Sequence, residues 1–270
     1  MFQLIRNFNF ILILAALLGC SSVQKNEASI NEHLVSIKIN KNTFVVRNTS
    51  FYNTNVLVAK MPDETVVIAS SMYDTVTTNK MITWIKQKFS PKKIIAINTH
   101  FHADGTGGNE AYHNNGVEIW SSNQTKGLYS KRADSMRSSL AKFVKDERLS
   151  KNILNRKNLP AHKFFDSKKD LKWNFDGEEV IISYPGPAHT QDNLMVYLPK
   201  QKVLFGGCLL RALDWTSLGN TKDADLENYY SSTKKLLSYK PAVVIPGHGT
   251  IGDKSLITHT MDLAKKAKTK

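Results

Sequence analysis

The sequence predicts one α/β domain built from two β-sheets face to face, with helices on the outside. Three features predict it. Short β-branched runs separated by turn residues come first, the apolar period then switches to that of a helix, and the second half repeats the same style. No linker separates the halves, and strands followed by helices in each half call for two sheets covered by helices. A chain of 270 residues, 41% of them hydrophobic, is long and apolar enough for one such core.

The elements follow in order. Val35–Ile39, Thr43–Arg47, Asn55–Met61 and Thr65–Ser70 alternate and read as an antiparallel meander. Between Thr77 and Phe89, the residues Met81, Trp84, Ile85 and Phe89 fall at helical spacing. Lys92–Asn98 is a strand with a continuous apolar middle, and a loop, a helix and a strand at Val117–Ser121 follow. Residues 124–152 read as one long, basic, amphipathic helix with Met136, Leu140, Phe143 and Val144 on a stripe. The second half gives strands at Glu179–Tyr184, Asn193–Leu198 and Lys202–Phe205, a helix at Asp225–Leu237, a strand at Ala242–Ile245 and a closing helix from Ser255.

The N-terminus reads as an export signal. Arg6 precedes an apolar stretch, Phe8–Leu18, shorter than the roughly 20 residues a membrane span needs. Leu17-Leu18-Gly19-Cys20 resembles the bacterial lipobox, whose Cys is acylated and becomes the first mature residue. The expected organisation is a signal peptide over 1–19, an acylated Cys20 with a tether over 20–34, and the folded domain over 35–270. Ser22 in place of an acidic residue points to outer-membrane sorting, hence a periplasmic monomer touching the membrane only through its lipid. The formal charge of +14 is scattered. Without an aromatic-interleaved basic motif, nucleic acid is excluded as a partner. With Cys20 acylated, Cys208 is a lone thiol in an oxidising compartment and needs burial or a metal.

The strongest local signal is Thr99-His100-Phe101-His102-Ala103-Asp104-Gly105, directly after a buried strand. Two His spaced by two residues point the same way off an extended segment, with a carboxylate two further on. Three more fragments each place one zinc-type ligand on a Gly-rich loop at a strand end: Pro187-Ala188-His189-Thr190, Gly206-Gly207-Cys208 and Pro246-Gly247-His248-Gly249. Four His, one Asp and one Cys suffice for two zinc ions with open positions. His33, His113, His162 and His259 lack such context and read as ordinary polar residues.

On these residues the chain resembles the class B metallo-β-lactamases, first (di-zinc) subclass, from about Thr43 to Ala264. The resemblance implies an αββα sandwich. It assigns His100, His102 and His189 to one Zn2+, and Asp104, Cys208 and His248 to a second. It implies hydrolysis of the β-lactam amide, carbapenems included, and with it antibiotic resistance. Asp104 would orient the attacking water and pass its proton. Arg211, three after Cys208, would pair with the substrate carboxylate. Asn220, in Ser217-Leu218-Gly219-Asn220, would polarise the lactam carbonyl. Asp223-Ala224-Asp225 also matches the family. Lactonases and thioesterases of the wider superfamily place His after the Asp and a bridging Asp later. Here Gly105 and Cys208 stand in those places.

Three features depart from that pattern. Val67-Ile68-Ala69-Ser70 lacks the Asp many members carry there behind the metal ligands. The Asn48–Asn55 connection is short, so that Phe51 and Tyr52 form only a small apolar lid. The 124–152 helix is long. All three resemble the second, mono-zinc, carbapenem-selective subclass. Two other functions stay open: hydrolysis of another ester, lactone or thioester on the same fold, and non-catalytic zinc binding by a lipoprotein.

Overall fold

A computed structural model describes residues 26–269. The expected signal peptide and Cys20 lie outside the described residues. Among the described residues, thirteen strands form two sheets. The larger has β1 (Glu27–Ser29), β2 (Leu34–Lys38), β3 (Thr43–Asn48), β4 (Thr54–Lys60), β5 (Thr65–Ala69), β6 (Lys93–Ile97), β7 (Glu118–Ser122) and β8 (Lys163–Phe165), in that spatial order. The pairs from β1 to β5 are antiparallel, and those from β5 to β8 parallel. The smaller sheet runs β13 (Val243–Pro246), β12 (Val203–Gly207), β11 (Met195–Leu198), β10 (Glu178–Ser183) and β9 (Leu171–Phe175).

The period-2 rule explains the layers. Odd-numbered residues of β3 to β6, such as Val45, Leu57, Val67 and Ile95, meet Val180, Ile182, Val196 and Phe205 of the other sheet. The even-numbered Val46, Val58, Ile68 and Ala96 face outward against Met81, Ile82 and Ile85 of α1 (Thr75–Phe89). Leu204 and Val244 of the smaller sheet likewise lie under Tyr229 of α6 (Leu226–Lys235) and Ile257 and Met261 of α7 (Ser255–Lys268). Strands buried on both faces read as continuous apolar runs, as the middle of β6 does.

One expectation needs correction. The 124–152 helix is two helices, α4 (Asn123–Phe143) and α5 (Glu147–Asn155). Val144 turns extended and buries its side chain beside Tyr73, Ala103, Ala141 and Ile153. Asp146 then caps the new helix, its carboxylate accepting from Leu149 N at 2.8 Å. Burial of Val144 and a competing cap thus end α4 inside a helical pattern. Within the stretch expected as a tether, Glu27–Ser29 pairs with β2 as an edge strand. Three-residue strands such as β1 and β8 are too short for a periodic signal, as are the small helices α2 (Ala103–Thr106) and α3 (Asn109–Asn114).

The sheets are tied together at one edge. Leu194 N donates to Thr99 O at 2.7 Å, linking the loops that follow β10 and β6. Asn55 N donates to Gly247 O at 2.8 Å, and the Asn55 amide reaches Pro246 O and Gly249 O at 2.9 Å each. The loops carrying His100 and His189 are therefore fixed to one another, and the loop carrying His248 is fixed to β4.

Candidate metal centre

All six sequence-predicted ligands meet at this edge. His100 and His102 lie on the loop after β6, and Asp104 in the first turn of α2. His189 lies between β10 and β11, Cys208 just after β12, and His248 just after β13. Asp104 is central: its Oδ1 is 3.2 Å from His100 Nε2, and its Oδ2 is 3.1 Å from His248 Nε2 and 2.8 Å from Cys208 Sγ. His102 Nδ1 lies 3.2 Å from His189 Nε2. Donor atoms of His100, His102 and Asp104 fall within 4.8 Å of one another, as do those of Asp104, Cys208 and His248.

The residues behind the ligands choose which nitrogen faces inward. His248 Nδ1 meets the Tyr52 carbonyl at 3.1 Å, and a carbonyl only accepts, so Nδ1 carries the proton and Nε2 its lone pair. His102 Nε2 meets Asp223 Oδ2 at 2.8 Å, which leaves Nδ1 to face the cluster. His100 Nε2 is buried, and its 3.2 Å approach to Asp104 Oδ1 lacks the geometry of a hydrogen bond. An orphaned imidazole nitrogen amid carboxylate, thiol and imidazole donors fits a zinc-type cation, because burying such groups without one leaves them unsatisfied. Ser70 Oγ donates to Asp104 O at 2.6 Å and Ser71 N to the same oxygen at 3.0 Å, holding α2 in place where no carboxylate stands at Ala69.

In the metal-free chain burial pushes His100 down, but the Asp104 charge outweighs it and raises it above the usual imidazole range, a shift that a bound cation opposes. Burial pushes the Asp104 carboxyl up, but His100 and His248 outweigh it and hold it well below the usual carboxylate range. Burial, then Arg211 and the neighbouring imidazoles, push His189 well below the usual range, so it is neutral as a ligand must be. Burial, then the Asp104 charge, push the Cys208 thiol well above its usual range in the metal-free chain. A cation there reverses that balance, since a coordinating thiol is deprotonated.

The structure places the other predicted residues less uniformly. Arg211 is buried, its guanidinium 3.2 Å from His189 Nδ1 and 5.1 Å above the Trp215 ring. Arginine only donates, so this contact needs Nδ1 as acceptor. A His189 that ligates through Nε2 carries its proton on Nδ1, and the guanidinium must then turn away. Asn220 is exposed, its side-chain oxygen held in a turn by Lys222 N at 3.0 Å, leaving only its Nδ2 to donate to a ligand. Tyr52 is 51% exposed, stacked on Phe143 with ring centroids 6.5 Å apart and set edge-on to His248 at 6.2 Å. Phe51 instead turns inward against Tyr73. Sequence reasoning missed Trp215, which stacks on His248 at 6.3 Å, and the pair Arg132 and Asp223 behind His102. Asp223 sits in a stretch that matches the family, but no sequence signal joins it to Arg132.

A family model described as "Metallo-beta-lactamase superfamily" matches residues 51–248. A Bacillus sp. (strain 170) protein named "Metallo-beta-lactamase type 2" is 31% identical over 235 residues, covering 84% of this chain and 81% of that one. A Bacteroides fragilis protein of the same name is 29% identical, covering 70% and 66%. Among solved structures, a metallo-beta-lactamase from Pontibacter korlensis superposes with a TM-score of 0.72 at 29% identity, covering 86% of this chain and 99% of its own. Most of the chain, its αββα layers and its ligand cluster thus carry one signature, and the chain belongs to the metallo-beta-lactamase superfamily.

Proposed function

We propose that this protein is a zinc β-lactamase that holds two Zn2+, one on His100, His102 and His189 and one on Asp104, Cys208 and His248. The observation that carries the reading is the convergence of these donors at one sheet edge, with Cys208 among them. The names of the relatives support the substrate class. When bound, zinc supplies Lewis acidity and a water acidified to a pKa of about 7.

The chain's own residues do the rest. Asp104, held ionised, accepts the proton of the attacking water and keeps it oriented. Asn220 donates from Nδ2 to the lactam carbonyl as charge develops on its oxygen. Arg211, released from His189, pairs with the substrate carboxylate through its planar fork. Tyr52, Phe143 and Trp215 give an apolar rim that excludes water from the reacting amide.

Helix α4 crosses from Arg132, behind His102, to Phe143, against Tyr52. At 1.5 Å per residue that is a roof of about 16 Å. The roof narrows the substrate range toward carbapenems, as in the second subclass. Equal turnover of carbapenems, penicillins and cephalosporins would sink that preference. By its sequence signals, the same reading places a monomer in the periplasm, anchored to the outer membrane through Cys20, and makes it a resistance determinant.

The first test is imipenem hydrolysis followed by absorbance. Turnover is expected to vanish with a chelator and to return with zinc. A zinc-loaded protein with no turnover on any β-lactam, but with activity on lactones or thioesters, would replace this reading with that of a related hydrolase. No activity on any of these would leave a zinc-binding lipoprotein.

Gly247 offers a second test. A Cβ there would stand 2.5 Å from Cys208 Sγ and 2.8 Å from Cys208 N, closer than packed atoms come. Gly247→Ala is expected to displace Cys208 and lower zinc content from two ions to one. Two tightly held ions in the variant would contradict the assignment of Cys208.

A further inference from the structure

Behind the first ligand set lies a chain of contacts that no sequence signal joins. Asp223 Oδ2 receives a hydrogen bond from His102 Nε2 at 2.8 Å. Arg132, from the middle of α4, grips the same carboxylate with both ends of its fork, Nη1 to Oδ1 at 2.6 Å and Nη2 to Oδ2 at 3.1 Å. The Arg132 guanidinium also lies 4.7 Å above the ring of Phe101, the residue between His100 and His102. Phe101 is almost fully buried and packs against Tyr129 and Ala133 of α4. One face of α4, Tyr129, Arg132, Ala133 and Met136 at helical spacing, therefore sits on the metal loop.

We infer that Arg132 is a positioning residue for the metal centre, acting through Asp223 to fix the orientation and basicity of His102, so that helix α4 is coupled to the first zinc set. The physical reason is directional. A carboxylate alone on a loop can rotate away from an imidazole, whereas one held by a bidentate guanidinium has both oxygens fixed in plane. Fixed there, it keeps the proton of His102 on Nε2 and directs the lone pair of Nδ1 to the metal. The Arg132 side chain is 37% exposed, but its partner Asp223 is only 17% exposed, and the guanidinium lies between that carboxylate and the Phe101 ring.

This inference rests on the zinc reading above, and the experiment separates the two. Zinc and cobalt(II) affinities of the wild type, Arg132→Ala, Arg132→Lys and Asp223→Asn are measured by competition with a chromophoric chelator. Cobalt spectra distinguish the two sites, because only the second gives a thiolate charge-transfer band. Loss of a group that orients a ligand typically weakens metal binding 10–100-fold. Arg132→Ala is expected to weaken the first site by about tenfold and shift its ligand-field bands, with the thiolate band unchanged. Arg132→Lys, keeping the charge but not the fork, is expected to recover part of the loss. Asp223→Asn is expected to match or exceed Arg132→Ala. Wild-type affinity and spectra in both Arg132 variants would overturn the inference. So would equal weakening of both sites together with a lowered melting temperature, which a general loss of packing under α4 would give. A wild type that binds no metal through His100, His102 and His189 would overturn the zinc reading itself.

Discussion

Asp104→Ala is expected to lower β-lactam turnover by about 10³-fold, the upper part of the range found when one preorganised electrostatic group is removed. The expectation follows from its place between the two ligand sets. One carboxylate oxygen faces His100 Nε2, and the other faces both Cys208 Sγ and His248 Nε2. On the proposed function, its loss removes a metal ligand and the group that accepts a proton from the attacking water, and with them the negative charge that faces two imidazoles. Asp104→Asn keeps the shape but not the charge, and separates these roles: metal content is expected to recover further than kcat. Steady-state kinetics beside metal analysis decides the matter. An Asp104→Ala enzyme within tenfold of wild-type kcat would show that Asp104 takes no part in the reaction.

Cys208→Ser is expected to remove the second metal ion while leaving the first, so that zinc content falls from two to one per chain. Serine is nearly the same size, but its hydroxyl is far harder to ionise than a thiol and binds zinc poorly. The same thiol sets a pH dependence. In the metal-free chain, burial and then the Asp104 carboxylate push Cys208 well above the usual thiol range. It therefore starts protonated at neutral pH, and metal binding must expel that proton. The sign is fixed: affinity at the second site rises with pH, about tenfold per unit while one proton is released. Competition titrations between pH 6 and 8 should show this slope in the wild type and lose it in Cys208→Ser. A flat wild-type profile would mean that Cys208 is not a ligand.

Much of the fold was legible because its signals are local. The apolar period of two in β3 to β6 and the helical spacing of Met81, Ile85 and Phe89 each arise within a few residues. The long helix misread at 124–152 shows where such signals stop. Its pattern continues past Phe143, but Val144 is drawn into a pocket with Tyr73 and Ala103, residues distant in sequence, and that burial ends the helix. β9, with Leu171, Trp173 and Phe175 alternating, carried a signal that went unread.

The sequence by itself singled out the six residues whose donor atoms the fold gathers at one sheet edge. Each is a chemically distinctive residue on a Gly-rich or strand-end loop, and a six-donor set has few other uses. The tertiary structure alone decided what stands behind them. Arg132 meets Asp223 across 91 positions, and Asp223 meets His102 across 121. Arg211, which resemblance assigned to substrate, lies against His189 because the loop after β12 tucks it under Trp215. A ligand is named by its own chemistry, which the sequence carries. The group that orients it is named by proximity, and proximity between distant residues exists only once two sheets have closed on one another.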